Sequence, residues 1–365
     1  MVGNWPVDGF GMRVCWLRMK YRKHQKQSNL FAFIEHQQRV QDRRMGINRL
    51  NEVIDWEVFR SRLEGLLGYD RRDRRKGGRP PFDPVFMLKV LVLQKFHALS
   101  DLGVQEQIAD RLSFMQFLGL SAGDDIPDAN TIWDFKEALC QDGRDGMGEL
   151  FAEFEQVIEQ KGLMGREGSI IDASFVDVPR PRNTREQNEQ IKEGQRPEGF
   201  EPDSNTGRQK DCDARWTIQR NERHCGYKNH SKVDARTKII LSYAVTPANV
   251  HDSVMFKQLV DARDNAVLAD SAYSSQEIED YLLKECDCEE FLLFKSHRNR
   301  PLSEEERRLN KLRSRIRCRV EHVFGRLTQM GADFIRTIGL RRAVQQIGLG
   351  NLVYNLERYR VLRAA

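Results

Sequence analysis

The residue pattern of this 365-residue chain changes at Gly168, and this change limits the folds that the chain can adopt. Before Gly168, apolar residues recur at helical spacing in several segments. The most apolar of these segments, 85–96, follows Asp83 and Pro84, which predict the N-cap and the first position of a helix. After Gly168 comes Ser-Ile-Ile-Asp-Ala-Ser-Phe-Val-Asp-Val, a run typical of a β-strand. We therefore expect an all-helical first part and a second part built around a sheet.

The second part alternates strands and helices in an order that predicts a mixed sheet. Strands are expected at 169–178, 227–234, 238–246, 266–270 and 290–295, and helices at 253–263, 275–284, 310–330 and 343–362. Three strands that can pair antiparallel, followed by alternating helices and strands, give a mixed sheet with helices on its faces. The polar segment 180–210 predicts a long flexible loop.

The length of the chain predicts about two or three domains, because one hydrophobic core rarely grows past ~250–300 residues. We expect a basic, partly disordered N-terminal extension over 1–44, an all-α domain over 45–165 and an α/β domain over 166–365.

Positive charge is concentrated in three clusters, although the net charge is only +5. The first cluster spans 13–26, the second 71–79 and the third 298–319. Each cluster alone could be a solvated helix face, but three together favour a surface that follows the phosphates of a nucleic acid. The candidate DNA-contacting residues in the second and third clusters are Arg71, Arg72, Arg74, Arg75, Lys76, Arg313, Arg315, Arg317 and Arg319.

The seven cysteines are scattered and contain no C-x-x-C pair, which argues against a disulfide framework and a zinc ribbon. Such usage is typical of a reducing cytosol. No apolar run approaches ~18 residues, so the sequence predicts no membrane contact and a cytoplasmic location.

Three carboxylates stand out from their surroundings. Asp172 and Asp270 each end a short apolar run that predicts a buried strand, and Glu321 interrupts an arginine-rich helix. Each has an ordinary alternative: Asp270 could cap a turn, and Glu321 could form a helix-surface ion pair with Arg317. Together they suit Mg²⁺, which binds carboxylates and substrate phosphate oxygens. Two such ions about 4 Å apart can promote in-line phosphoryl displacement.

The order of several motifs resembles bacterial insertion-sequence transposases of the DDE class, in the insertion-sequence-five-like group. In the first part the motifs are Gly-Arg-Pro-Pro-Phe-Asp-Pro-Val-Phe-Met-Leu-Lys at 78–89 and Ile-Pro-Asp-Ala-Asn-Thr at 126–131. In the second part they are Ile-Asp-Ala at 171–173, Gly-Tyr-Lys-Asn-His at 226–230, Ala-Asp-Ser-Ala-Tyr at 269–273 and Arg-x-x-x-Glu at 317–321. The resemblance covers the chain from about residue 19 onward.

This resemblance implies an RNase H-like catalytic domain over 166–365, preceded by a helical DNA-binding domain over 45–165. It implies that Asp172, Asp270 and Glu321 are catalytic metal ligands, with Mg²⁺ as the cofactor and Mn²⁺ as a substitute. Arg317 falls on an arginine that many relatives have, and Lys228 lies in a matching motif and is a further DNA-contact candidate. The implied partner is double-stranded DNA, both element ends and target, bound by a homodimer or larger synaptic complex in the nucleoid.

Two positions depart from the pattern of some relatives. Ser314 stands where those relatives have a tyrosine, and Thr328 stands where they have a lysine. A role of these positions in holding the element's end is therefore not expected. Two rival interpretations stay open at this stage: a nuclease that cuts without joining, and a catalytically silent regulator that binds element ends.

Overall fold

A six-stranded mixed sheet lies at the centre of the second part of the chain. The computed structural model describes residues 31, 34–36, 38–39, 46–69, 80–121, 123–165, 167–219, 221–273, 275–284, 286, 288–294, 296 and 300–364. The described strands are β1 (Ser169–Asp177), β2 (Arg215–Gln219), β3 (Glu222–Asp234), β4 (Ile240–Pro247), β5 (Ala266–Ala269) and β6 (Glu289–Glu290).

The sheet combines an antiparallel half with a parallel half. Strand β3 pairs antiparallel with β1 on one side and with β2 and β4 on the other. Strand β5 runs parallel to β1 and to β6. A mixed sheet was predicted, but β2 was not, and β6 is shorter than the predicted strand at 290–295.

Gly226 is needed where β1 and β3 come together. A Cβ atom at this position would lie 2.2 Å from the carbonyl oxygen of Val176. Real Cβ contacts do not approach so closely, so any side chain would push β3 away from β1. Glycine therefore allows the ladder to continue to the pair Asp177 and Gly226.

The described residues before the sheet form helices, and helices also pack on both faces of the sheet, as predicted. The α-helices are α1 (Leu50–Val53), α2 (Arg60–Leu66), α3 (Pro84–Phe96), α4 (Asp101–Asp110), α5 (Leu112–Leu118), α6 (Ala129–Leu139), α7 (Gly146–Gln160), α8 (Arg185–Lys192), α9 (Phe256–Leu259), α10 (Gln276–Lys284), α11 (Glu304–Arg317), α12 (Arg319–Gln329) and α13 (Leu340–Ala364). Short 3-10 helices occur at Trp56–Phe59, Gln141–Gly143, Gly207–Gln209, Asp252–Met255 and Ser271–Tyr273. As predicted, the carboxylate of Asp83 caps α3, accepting from the amides of Val85 and Phe86 at 2.9 and 3.0 Å.

The helices before residue 166 share one hydrophobic core with the sheet and with α13. The ring of Phe154 on α7 packs edge-on against Tyr359 on α13 with centroids 5.5 Å apart. Phe151 packs in the same way against Tyr243 on β4 at 5.0 Å. Apolar contacts therefore cross the predicted boundary at 165/166, and the division into separate domains stays a prediction.

Helix α13 is joined to the sheet by buried amide hydrogen bonds. Asn351 exchanges two bonds with Asn229 on β3, at 2.9 and 3.1 Å. Asn355 bonds both backbone groups of Ile240 on β4, at 2.8 and 3.0 Å. Because unpaired buried amides are costly, these pairs fix the position of α13 along the strands.

Two further predicted segments differ from the structure. The segment 180–210, predicted as a flexible loop, contains α8, whose N-terminus carries a capping box formed by Thr184 and Gln187. Ile191 and Phe200 in this segment are buried, so the segment has ordered structure of its own. The helix predicted at 310–330 begins earlier and is divided at Cys318 into α11 and α12.

The N-terminal extension 1–44 and the basic cluster 71–79 lie almost entirely outside the described residues. Within the described part of the chain, no helix combines the length and the apolar character that crossing a membrane requires.

Candidate active site

Asp172 and Asp270 are brought side by side by the parallel pairing of β1 and β5. Ile171 on β1 is the register partner of Ala269 on β5, and each is followed directly by one of the aspartates. The residues before them are buried, so the apolar runs fix the strands and the carboxylates follow at the same level of the sheet. This placement agrees with the prediction that the two aspartates share one site.

Glu321 reaches the same place from helix α12. Val320, Val323 and Leu327 are buried and hold one face of this helix against the core. Glu321 lies in the first turn of α12, one residue from that buried face. Asp172, Asp270 and Glu321 all line one cleft of about 190 Å³, which we call the triad cleft.

Arg317, the last residue of α11, forms an ion pair with Asp172. Its Nη1 lies 2.5 Å from Oδ2 of Asp172, and both side chains are about four-fifths buried. The sequence had left open an ordinary helical ion pair between Arg317 and Glu321, but in the structure Arg317 pairs with Asp172 on β1. The break at Cys318 separates Arg317 from the helix that carries Glu321.

The Asp172 carboxyl has an altered proton affinity. Burial raises its pKa from the ordinary 3.8 to about 6, and the charges of Asp270 and Glu321 add to that rise. The Arg317 guanidinium and the amide of Ala173 act in the opposite direction and lower it. Asp172 therefore lies in a cleft that accumulates negative charge and would gain from a further cation.

Three side chains that sequence reasoning did not place in the site also line the triad cleft. Lys228 on β3 was a DNA-contact candidate, but its Nζ donates to the carboxylate of Asp252 at 2.7 Å and to the carbonyl of Val250 at 2.8 Å. Tyr273 is buried, and its hydroxyl has no hydrogen-bond partner among the described residues. The motifs that contain Lys228 and Tyr273 were the only sequence signal for them.

The other predicted DNA contacts lie elsewhere or outside the described residues. Arg313 packs against the rings of Phe291 and Phe294, and Arg319 donates to the carbonyl of Ala235 at 2.7 Å. Arg313 and Arg319 line a different groove from the triad cleft, and Arg315 is exposed. The positions outside the described residues are Arg71, Arg72, Arg74, Arg75 and Lys76.

The donor set of the triad cleft fits a hard divalent cation. Carboxylate oxygens are the ligands that Mg²⁺ prefers, and three of them line this cleft together. Among the described residues, no three His, Cys, Asp or Glu side chains converge closely enough to hold a metal by themselves. A site of this kind needs oxygen ligands from a substrate, as magnesium sites in phosphoryl-transfer enzymes commonly do. The buried Nε of Arg317 and the hydroxyl of Tyr273 are also without partners in this part of the structure.

Comparison with known families gives two matches along the chain. The family model described as Transposase DDE domain matches residues 163–356 and contains the whole triad. The family model described as Transposase domain (DUF772) matches residues 34–138. No solved structure matches the chain.

The first family implies an RNase H-like fold, and the mixed sheet with its helices is consistent with it. Because this match covers more than half of the chain, the protein belongs to the DDE transposases and is an enzyme of that type.

Proposed function

We propose that this chain is the transposase of an insertion-sequence-five-like element. In this proposal it binds the terminal inverted repeats, cleaves the element's ends and joins them to target DNA. The observation that carries the proposal is the meeting of Asp172, Asp270 and Glu321 in one cleft, from two strands and a helix far apart in sequence. Transposase domains act on DNA, so the partner class follows from the family.

DDE transposases use divalent metal ions, and we propose Mg²⁺ here, with Mn²⁺ as a substitute. When bound, the ion would supply positive charge that stabilises the developing charge of a phosphoryl displacement. Asp172, Asp270 and Glu321 would hold it. Arg317 keeps the Asp172 carboxylate in one orientation through a charge-assisted hydrogen bond of 2.5 Å.

Two further charged residues, Lys228 and Asp252, line the triad cleft beside the three carboxylates. Lys228 and Asp252 neutralise each other, and the Lys228 Nζ also lies 5.4 Å from the ring centroid of Phe175. Both residues line the triad cleft, so their pair adds no net charge there. In the proposed reaction, water attacks the phosphodiester at the element's end first, and the freed 3′-hydroxyl then attacks target DNA.

We further propose that the helices before residue 166 recognise the element's end. Phosphate contacts carry no sequence information, so this task needs side chains that reach base edges. A homodimer or larger assembly would hold two ends together, and the protein would be found with the nucleoid. The basic residues at 71–76 would contact the DNA backbone or minor groove.

The test uses purified full-length protein, Mg²⁺, labelled duplexes that carry the inverted repeats flanking the gene, and a plasmid target. Wild-type protein is expected to release 3′-hydroxyl ends and to yield joined products. Glu321→Gln protein is expected to bind the same duplexes and to cut nothing.

The three interpretations give different products. Cleaved ends that are never joined would support a nuclease instead. Tight binding of paired ends without any cleavage by wild-type protein would support a regulator. Failure to prefer inverted-repeat duplexes over random duplexes would contradict the proposed recognition of element ends.

A further inference from the structure

Strand β2 leads away from the triad cleft along the edge of the sheet. Its last residue, Gln219, lines the triad cleft, whereas Arg215 and Trp216 at its start line a neighbouring groove. At about 3.4 Å per residue, Arg215 and Gln219 are separated by roughly 14 Å along the strand. The indole of Trp216 and the side chain of Ile218 are exposed, 42% and 67%. The triad cleft is thus connected by one extended strand to a second surface.

That surface leads to a large basic groove where the 196–213 segment meets α6 and the start of α13. This groove, which we call the basic groove, has a volume of about 790 Å³. Among the described residues, five cations line it against two carboxylates, Asp203 and Asp213. The cations are Arg196, Arg208, Lys210, Arg341 and Arg342. Lys210, which lines this groove, lies five residues before Arg215, so a short segment of chain joins the groove to the start of β2.

Several of these cations are held by neutral acceptors. Arg196 donates to the carbonyl of Phe200 at 3.0 Å. Lys210 donates to the carbonyl of Arg182 at 2.7 Å and to the side-chain oxygen of Asn183 at 2.9 Å. Such bonds fix the position of a cation but leave its charge uncompensated. An anion that binds such a cation loses little free energy to side-chain ordering, because the cation is already held in place.

The same arrangement continues onto β2. Arg215 donates to the carbonyls of Cys212 and Ala214 at 2.6 and 3.1 Å. Cations elsewhere on the surface are paired differently: Lys257 with Glu277 and Lys284 with Asp280, at 2.7 and 2.9 Å. Arg196, Lys210 and Arg215 thus differ from such carboxylate-paired surface cations, because their hydrogen-bond acceptors are neutral.

Two acidic residues near the basic groove also accept from neutral donors and keep their negative charge, but the five cations of the groove outnumber its two carboxylates. Asp213 accepts from the amide of Leu340 at 2.9 Å, at the start of α13. Asp211 accepts from the amide of Gly339 at 3.1 Å and from the hydroxyl of Tyr227 at 2.8 Å. Arg341 and Arg342 share the single carboxylate of Glu137, so this cluster also keeps a net positive charge.

We propose that the surface from Gln219 along β2 to the basic groove binds the phosphate backbone of duplex DNA that leaves the triad cleft. We call this surface the β2 track. The proposal rests on the proposed function, because it places the DNA whose cleavage occurs in the triad cleft. Recognition is by backbone charge, so it is independent of sequence. The length of β2 corresponds to about four base pairs of B-DNA at roughly 3.4 Å each.

The first test is a salt titration of binding with full-length protein and a mixed-sequence duplex of about 30 base pairs. The variant is Arg196→Gln with Arg208→Gln, two exposed residues of the basic groove. The control is Lys257→Gln with Lys284→Gln, which removes the same charge from a surface outside the β2 track. The variant should lower the slope of log K against log[salt] by up to about two units, whereas the control keeps the wild-type slope. At 0.1 M salt the variant should bind about 10- to 100-fold more weakly.

The second test is ethylation interference on inverted-repeat duplexes. Ethylating phosphates about four or more nucleotides from the cleavage point should weaken wild-type binding. In the variant this effect should vanish while interference at the cleavage point remains. Equal slopes for variant and wild type, or an equal loss in the control pair, would overturn the proposal. If wild-type protein cleaves ends and the variant result is negative, only the β2 track fails; if wild-type protein never cleaves ends, the proposed function fails.

Discussion

Replacing Asp172 with asparagine should stabilise the fold while removing activity. The raised pKa of Asp172, about 6 against 3.8, means that the folded state holds this proton more tightly than the unfolded chain. The stabilising contribution of the protonated form is complete below pH ~3.8 and is lost as pH rises through about 6. At 1.36 kcal/mol per pH unit, the ionised carboxylate costs about 3 kcal/mol at pH 7. Asparagine resembles the neutral form and avoids that cost.

The assay is denaturant and thermal unfolding of wild-type and Asp172→Asn protein in EDTA at pH 7 and pH 4. At pH 7 the variant should be more stable by up to about 3 kcal/mol, or roughly 3–6 °C in midpoint. At pH 4 the difference should shrink toward zero, and Mg²⁺ at pH 7 should stabilise wild-type protein more than the variant. Asp177→Asn is the control, because Asp177 is on the same strand but pairs with His224 outside the triad cleft. A variant that is less stable than wild type at pH 7, or a difference that does not depend on pH, would refute the reasoning.

Three further outcomes are expected. Burial lowers the pKa of Lys95 from 10.5 to about 8, so the stability of the fold should rise with pH between about 8 and 10.5. In urea unfolding, Lys95→Met should therefore add about 3 kcal/mol of stability at pH 7 and little at pH 10.5. Gly226→Ala should cost at least about 3 kcal/mol or prevent folding, seen by circular dichroism, because its Cβ would overlap a carbonyl of β1. Replacing Arg313, Arg315 and Arg319 together with glutamine should lower the slope of log K against log[salt] for DNA binding by about two to three units if all three contact phosphate. An unchanged slope would show that these arginines form a solvated face instead.

The strands that carry the aspartates could be predicted because their signal is local. Ile170 and Ile171 before Asp172, and 267–269 before Asp270, are short apolar runs that become buried strands. The cap at Asp83 is local in the same sense, since side chain and amides lie within three residues. Asp172 and Asp270 could therefore be named as candidate site residues from the sequence alone.

Features that depend on distant partners could not be predicted in this way. Strand β2 follows a polar segment and has exposed side chains, so its signal is weak until β3 pairs with it. The ion pair between Arg317 and Asp172 joins residues 145 positions apart, whereas local spacing favoured Glu321 as the partner. The hydrophobic core that the first helices share with the sheet and α13 could not be predicted either, because an apolar helix face does not show which element packs against it.

The same limit explains the segment predicted as a loop. Its composition is polar, and only two of its apolar side chains, Ile191 and Phe200, are among the buried hydrophobic residues of the described chain. Carbonyl groups of this segment accept hydrogen bonds from Arg196 and Lys210, two cations of the β2 track. The composition of the segment shows its charged residues, but it does not show that backbone carbonyls rather than carboxylates accept their hydrogen bonds.

The most direct test of the account is cleavage of paired inverted-repeat ends in Mg²⁺ by four single variants. Asp172→Asn, Asp270→Asn and Glu321→Gln should each bind the ends but lose at least about 1,000-fold in cleavage rate, because losing a ligand removes several kcal/mol of charge stabilisation. Asp177→Asn, which changes a carboxylate outside the triad cleft, should cleave within a few-fold of wild type. Near-wild-type cleavage by any folded triad variant would contradict the claim that these three carboxylates form the catalytic centre.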